Sequence, residues 1–241
     1  MTGLIGTANA SDAMCRRQVA AAARTISRYG HEDLTLGHVS VRSATGDSMW
    51  IKRKGVALSE VTVDDVIAAD LGDEPPRGDL MHYEAIMHHE AYRRRGDINA
   101  VIHTHPWYAT AFGASDAEFQ MLSHDGVLFK DGIGRYSDSS GLITTGPDAE
   151  RVVNALGSKR VTMLRHHGVL IVGEDIRWAV LAAITLERSI RLQWMASGLG
   201  EINPIAPGDV EDLYLEKYRE RFLAEYWDAW LRDLEATGFT S

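Results

Sequence analysis

The spacing of apolar side chains along the chain predicts five helices. The segment from Ser11 to Tyr29 is rich in alanine and repeats apolar residues at helical spacing, and Gly30 follows it as a terminator. A second helix is predicted from Asp79, which can cap its first turn, to Gly96, which can end it. The other predicted helices cover residues 145–157, 175–197 and 209–235.

Strand patterns lie between these helices. Residues 39–43 and 48–52 flank the turn-prone tetrapeptide ATGD and predict a hairpin. Residues 98–103 have the pattern of a buried strand, and residues 160–173 have that of two short strands broken at "HHG". Because strands alternate with helices and neither a repeat nor a linker divides the chain, residues 1–241 are predicted to form a single α/β domain.

Composition limits the classes of function that fit this chain. Apolar residues make up 45% of the 241 residues, and the net charge of −9 argues against a nucleic-acid binder. No apolar run reaches the roughly 18–20 residues of a membrane span. Residues 1–10 are expected to be disordered, and no basic stretch precedes an apolar core as in a signal peptide. Since the single cysteine, Cys15, excludes an internal disulfide, a cytoplasmic protein is expected.

Two histidines one residue apart stand at the end of the strand predicted over 98–103. Successive side chains alternate between the two faces of a strand, so His103 and His105 point the same way while Thr104 points away. Such a pair suits two ligand positions of a metal ion, and Pro106 ends the strand there. Taken alone, the motif favours a simpler interpretation, in which two half-buried histidines hydrogen-bond to the backbone.

The placement of the other histidines favours a metal site. Eight of the ten histidines fall in four groups beside predicted strand or helix ends. Glu84 lies early in the helix predicted over 79–96, where it can approach the end of the following strand or remain a surface carboxylate. Three histidines with an adjacent carboxylate need such an arrangement. The groups are His82, His88 and His89; His103 and His105; His124; and His166 and His167.

The order of these motifs resembles the class II aldolase/adducin family. "GHVS" at 37–40, Glu84, "HTHP" at 103–106 and "HHG" at 166–168 follow one another as in that family, and the resemblance spans residues 12–235. It implies a three-layer α/β/α sandwich around a mainly antiparallel central sheet. It also implies a homo-oligomer, usually a tetramer, with sites near the subunit boundaries.

The resemblance further implies a divalent-metal site. His103 and His105 match the two ligands on the strand. His167 matches the third ligand, with His166 as the alternative, and Glu84 matches the acid/base glutamate. Three imidazoles and a carboxylate suit Zn²⁺ or Mn²⁺, and Fe²⁺ or Co²⁺ also fit.

Departures from the family pattern bear on the substrate. Sugar-phosphate members bind the phosphate through an asparagine and two small hydroxyl residues, and the matching positions here are His38, and His82 with Tyr83. Thr35 and Gly55 still offer donors, but a phosphate dianion needs several small donors at close range. The two histidines are therefore candidates to bind a carboxylate, and Tyr83 to contact an aromatic ring.

These departures favour the decarboxylase-like branch over the sugar-phosphate aldolases. His124 falls where that branch also carries a histidine. The leading hypothesis is a metal-dependent decarboxylase of a hydroxylated aromatic acid, such as a dihydroxybenzoate or dihydroxyphthalate, in which Glu84 transfers the proton. Two alternatives stay open: an aldolase or epimerase on a small hydroxy-carbonyl or sugar-phosphate substrate, and a non-catalytic adducin-like module.

Two further patterns predict packing rather than chemistry. Glu187 and Arg191 are four residues apart on a predicted helix and are expected to form an ion pair along that helix. Aromatic residues repeat at helical spacing along 209–235 and are expected to pack into the core or a subunit interface. They are Tyr218, Phe222, Tyr226 and Trp230.

Overall fold

One seven-stranded sheet organises the computed structural model, which describes residues 12–239. The strands are β1 (His38–Arg42), β2 (Ser48–Lys52), β3 (Val66–Asp70), β4 (Ala100–Thr104), β5 (Gly134–Tyr136), β6 (Val161–Leu164) and β7 (Gly168–Gly173). Their order is β3-β2-β1-β4-β7-β6-β5, and every neighbouring pair is antiparallel except β5 and β6. The predictions for residues 1–10 and for Ser11 lie outside the described range.

Seven α-helices accompany the sheet within residues 12–239. They are α1 (Asp12–Ile26), α2 (Ala85–Arg94), α3 (Trp107–Gly113), α4 (Gly146–Leu156), α5 (Ile176–Ser197), α6 (Val210–Lys217) and α7 (Glu220–Glu235). Among these described helices, none is long and apolar enough to cross a membrane. The predicted starts of α4 and α5 are confirmed: Thr145 and Asp175 are the N-cap residues, and each accepts a backbone N–H of the helix that follows.

Helices cover both faces of the sheet, which confirms the three-layer α/β/α sandwich. Alternate residues of β4 supply the two cores, because Ala100 and Ile102 pack with α1 and α5, whereas Val101 packs with α2 and α4. His103 continues this alternation on the α2 side. Thr104 faces the opposite layer, where its hydroxyl lies 2.8 Å from Nδ1 of the buried His31.

The predicted start of the second helix is wrong. That helix begins at Ala85, with Glu84 rather than Asp79 in the N-cap position, and the residues before it form turns. His82 and Glu84 are both buried. Residues two apart on a helix point to nearly opposite sides, so a helix from Asp79 would not turn both inward.

The C-terminal helix predicted over 209–235 is in fact two helices that meet at Tyr218 and Arg219. Tyr218 leaves the helical conformation (φ −100°, ψ 57°), and its hydroxyl donates to the carbonyl of Asp125 at 2.9 Å. The break changes which face of α7 is buried. Leu223, Trp227 and Leu234 are buried and Trp230 packs beside them, whereas Phe222 and Tyr226 lie nearer the surface.

Glu187 does not form the predicted ion pair with Arg191. Its carboxylate is buried and accepts the N–H groups of Tyr108 and Ala109, both at 2.9 Å. Burial raises the pKa of Glu187, and the two N–H donors oppose that rise. Spacing along α5 could not foresee that the start of α3 packs against this face.

Candidate metal centre

The end of β4 places two imidazoles beside each other. In the sheet register His103 lies opposite His38 of β1 and Leu170 of β7, and His105 follows the strand. Nε2 of His103 and Nε2 of His105 are 3.1 Å apart. The side chain of His103 is buried, whereas that of His105 is partly exposed, so the pair lies between the core and the surface.

The turn between β6 and β7 brings a third imidazole to this pair. His166 adopts a left-handed conformation (φ 62°), and the N–H of His167 donates to the carbonyl of Leu164 at 3.0 Å. The ring centroid of His167 is 5.0 Å from that of His103 and 5.1 Å from that of His105. His166 is exposed. The structure therefore places His167, rather than His166, with the strand pair.

Glu84 approaches the three imidazoles from the start of α2. Its Oε2 lies 3.4 Å from Nε2 of His167 and 3.6 Å from Nε2 of His103. Its Oε1 accepts the N–H of Ile143 at 2.8 Å. One ligand atom each from Glu84, His103, His105 and His167 lies within 4.8 Å of the others, a donor set that could hold a divalent metal ion.

His103 and His105 each form a hydrogen bond to a group outside the cluster. These bonds determine which ring nitrogen of each histidine faces the cluster. Nδ1 of His103 lies 2.9 Å from the carbonyl oxygen of Val169, which only accepts, so this nitrogen carries the proton. Nδ1 of His105 likewise donates to Oδ2 of Asp33 at 2.9 Å. The two Nε2 atoms then face each other as lone pairs, which repel at 3.1 Å unless a cation lies against them. The arrangement fits a metal ion.

Burial and neighbouring groups set the charges of the cluster. Burial lowers the pKa of His105 to about 4, although Asp33 opposes the change, so this imidazole is neutral at pH 7. Burial would raise the pKa of Glu84, but the adjacent side chains of His103 and His167 outweigh burial and hold that pKa well below its usual range. Glu84 is therefore a carboxylate at neutral pH.

His38 lies against the cluster without joining it. Its ring centroid is 5.0 Å from that of His103 and 4.5 Å from that of His82. Its Nδ1 lies 2.8 Å from Nε2 of His88 on α2. Burial lowers the pKa of His38 well below its usual value, with His82 and His88 acting in the same direction, so the ring carries no charge at pH 7.

Behind His82 lies a buried lysine that the sequence reasoning missed. Nζ of Lys52 donates to the carbonyl of Thr35 at 3.1 Å and lies 3.5 Å from Nε2 of His82. Lys52 is 0% exposed, and burial lowers its pKa to about 8. Burial and the charge of Lys52 lower the pKa of His82 to about 3. The available signal was a lysine at the end of the apolar strand "MWIK".

Three other residues predicted to bind substrate lie nearer the surface. Tyr83 is 72% exposed, and Nζ of Lys54 lies 5.0 Å from its ring centre. Thr35 is exposed and reaches the site through its carbonyl, which accepts from Lys52. Gly55 is exposed in a left-handed conformation (φ 84°).

His124 lies beside the C-terminal helices rather than at the cluster. Its side chain is exposed, and its carbonyl accepts from the hydroxyl of Tyr218 at 3.4 Å. The next residue, Asp125, pairs with Arg188 and Lys217. Within the described part of one chain, no contact joins His124 to the four clustered residues.

Two clefts flank the cluster. One, of about 510 Å³, opens at His105 and carries Asp33 and Trp107 on its walls. The other, of about 250 Å³, is reached past His82 and has one cation, Arg77, on its wall. Thr144 adds a hydroxyl to the wall of this second cleft, and most of the other lining residues are apolar or aromatic: Pro75, Pro76, Met81, Tyr83 and Ile86.

Known proteins share both the sequence pattern and the fold. Residues 17–194 match the class II aldolase and adducin N-terminal domain. The decarboxylase NovR of Streptomyces niveus is 28% identical over 200 residues, 80% of this chain and 73% of that protein. An L-fuculose phosphate aldolase of Methanocaldococcus jannaschii is 30% identical over 158 residues, 65% of this chain and 82% of that protein. The L-fuculose 1-phosphate aldolase of Glaciozyma antarctica PI12 has the same fold, with a TM-score of 0.80 and 23% identity across 95% of this chain and 92% of that chain.

Proposed function

We propose, because this chain belongs to the class II aldolase and adducin family, that it is a divalent-metal-dependent carbon–carbon lyase. The observation that carries the proposal is the 3.1 Å approach of two Nε2 lone pairs, those of His103 and His105. His167 would be the third ligand, and Glu84 lies beside all three. This donor set suits Zn²⁺ or Mn²⁺, and Fe²⁺ or Co²⁺ would also fit.

We further propose that the reaction is the decarboxylation of a hydroxylated aromatic acid. The rings of His38 and His82 lie beside the cluster, where a phosphate dianion would need small hydroxyl donors. The neighbouring cleft offers Arg77 for a carboxylate and Tyr83 for an aromatic ring. The similarity to the decarboxylase NovR supports the same assignment.

In this proposal Glu84 transfers the proton. The metal ion, when bound, supplies Lewis-acid stabilisation of negative charge on the substrate oxygens. Ile143 holds Oε1 of Glu84, which leaves Oε2 on the side of the imidazoles. Glu84 accepts the proton of a substrate hydroxyl and returns it to the ring carbon that loses carbon dioxide, and water then restores the hydroxyl proton.

Two panels of substrates, one of hydroxylated aromatic acids and one of ketose phosphates, test the proposed function. Metal-loaded protein should release labelled carbon dioxide from carboxyl-labelled dihydroxybenzoates or dihydroxyphthalates. Glu84→Gln should retain the metal and lose at least about 100-fold in kcat, because it cannot carry the proton. Chelation should abolish turnover and added metal restore it. Cleavage of ketose phosphates without release of carbon dioxide would contradict the decarboxylase.

A second candidate is aldol cleavage or epimerisation of a small hydroxy-carbonyl compound. It is favoured by the similarity to L-fuculose phosphate aldolases and by the exposed positions of Thr35 and Gly55, where a phosphate could bind. It uses the same three histidines and Glu84, so the two panels separate the candidates. Purified protein without metal and without turnover in either panel would instead indicate a non-catalytic adducin-like module.

A further inference from the structure

Four buried polar side chains form a continuous hydrogen-bonded chain between β1 and α2. Nδ1 of His38 is 2.8 Å from Nε2 of His88, and Nδ1 of His88 is 2.7 Å from Oγ of Ser40. Oγ of Ser40 is in turn 2.9 Å from the hydroxyl of Tyr92. Each of the four residues is at most 2% exposed. The proposed function assigns no role to Ser40, His88 or Tyr92.

Tyr92, at the far end of this hydrogen-bonded series, determines which group is the donor in each of the hydrogen bonds. A phenol has one proton, and Ser40 Oγ is the one side-chain acceptor within hydrogen-bonding distance of Tyr92 in the described structure. A buried donor left without an acceptor costs about 1–3 kcal/mol, so Tyr92 donates to Ser40. The single proton of Ser40 then points to its other partner, Nδ1 of His88.

The same direction continues through the two imidazoles. His88 accepts at Nδ1, so in its neutral form it carries the proton on Nε2 and donates it to Nδ1 of His38. We infer that Tyr92, Ser40 and His88 are positioning residues that fix His38 in the tautomer with its proton on Nε2. His38 therefore offers an N–H donor, and neither a metal ligand nor a base, on a ring whose centroid is 5.0 Å from that of His103.

A fixed neutral donor at this position suits an anionic oxygen. This step rests on the proposed function, in which charge grows on a substrate oxygen as the carbon–carbon bond breaks. A donor that is already oriented stabilises such charge without reorganisation. The acceptor class is a carboxylate or phenolate oxygen of the substrate, because a neutral N–H attracts neither a cation nor a proton donor.

The tautomer of His38 can be determined by NMR on the protein without substrate. In ¹⁵N NMR of histidine-labelled protein at neutral pH, assigned with a His38→Asn variant, Nε2 of His38 should carry the proton and Nδ1 should not. A proton on Nδ1 of His38 in the wild-type protein would overturn the inference. Because this measurement needs no substrate, its failure is distinct from a failure of the proposed function.

Two substitutions of similar shape at position 88 test the direction in which the hydrogen bonds of this series are donated. In His88→Gln the amide can still donate to His38, whereas in His88→Glu an ionised carboxylate only accepts and pulls the proton onto Nδ1 of His38. His88→Gln should keep the tautomer and stay within about threefold of wild-type kcat. His88→Glu should switch the tautomer and lower kcat at least about tenfold, with KM less affected and metal content unchanged.

His89 provides the matched control on the same helix. Its Nε2 lies 2.8 Å from the carbonyl of Gly72, away from the chain of four residues, and it too is buried. His89→Gln and His89→Glu should leave the tautomer of His38 unchanged. If His88→Glu behaves like His89→Glu in both tautomer and kcat, the inference is wrong. Should His88→Glu fail to fold, the wild-type spectrum still decides.

Discussion

Asp33 is the residue on which the orientation of His105 depends. Its Oδ2 accepts from Nδ1 of His105 and so fixes Nε2 as the nitrogen that faces the cluster. We expect Asp33→Ala to weaken metal binding by about 10–100-fold, as loss of such a partner does elsewhere. Asp33→Asn keeps an acceptor oxygen and should lose less. Competition with a chromogenic chelator measures both, and an unchanged affinity in Asp33→Ala would contradict the assignment.

Lys52 should make the stability of the protein depend on pH above neutrality. Burial lowers its pKa from 10.5 to about 8, so between these values the unfolded chain binds more protons than the folded one. The free energy of unfolding therefore increases, through Lys52, as pH rises from about 8 to 10.5. The cost of burying the charge is fully present below pH 8 and amounts to roughly 3 kcal/mol at most.

Lys52→Met isolates this effect. Relative to wild type, the variant should be most stabilised at pH 7, and the difference should shrink steadily toward pH 10, as measured by urea unfolding at each pH. Lys54→Met, which removes a partly exposed lysine two residues away, is the control and should show no such trend. A difference between Lys52→Met and wild type that is constant from pH 7 to 10 would exclude a buried charge.

At single positions, sequence reasoning succeeded where a short motif by itself determines the local geometry. Alternation along a strand was enough to place His103 and His105 together. Neither Asp33 nor Lys52 could be found in this way. Asp33 meets His105 across 72 positions of the chain, and Lys52 meets His82 across 30, so both contacts depend on how separate elements pack.

At the scale of elements, periodicity located the strands and helices, and tertiary contacts decided where several of them end. α4 and α5 begin where they are predicted to begin, because Thr145 and Asp175 accept N–H groups of the first turn that have no partner within the helix. α2 starts later than predicted because Glu84 contacts the imidazoles of His103 on β4 and of His167 in the turn before β7. The break at Tyr218 likewise depends on a partner, Asp125, that lies 93 positions away.

The turn from β6 into β7 offers a test of how one element shapes the candidate metal centre. A Cβ atom at Gly168 would lie 2.6 Å from Cδ2 of His105 and would also clash with the carbonyl of Thr104. Gly168→Ala should therefore displace His105 and weaken metal binding at least about tenfold, as measured by chelator competition.

Gly173, at the other end of β7, is the matched control. A Cβ atom there would lie 2.5 Å from the N of Ala179 and 2.7 Å from the carbonyl of Asp175, both at the start of α5 rather than beside His105. Gly173→Ala should lower the melting temperature while the folded protein keeps its metal affinity. Equal losses of metal affinity in both variants would show that general destabilisation, and not the crowding of His105, is responsible.

At the scale of the whole molecule, large apolar side chains that are one or two positions in sequence from residues of the candidate metal centre stay exposed. Single exposed apolar residues are ordinary, but a group of them around a cleft indicates an interface. This supports the expected tetramer with sites near subunit boundaries, and it would give Tyr83 and His124 a neighbouring site to reach. The exposed residues are Leu34, Tyr83, Trp107 and Leu142.

We therefore expect Trp107→Glu to dissociate the assembly. A charge on a side chain that is 83% exposed in one chain costs little in a monomer but much in a buried interface. Light scattering coupled to size-exclusion chromatography should show wild-type tetramers and smaller Trp107→Glu species. Leu199→Glu, on an equally exposed leucine after α5, should leave the assembly intact. If turnover needs residues from two chains, the dissociated variant should keep its metal yet lose activity, and a fully active monomer would contradict a shared site.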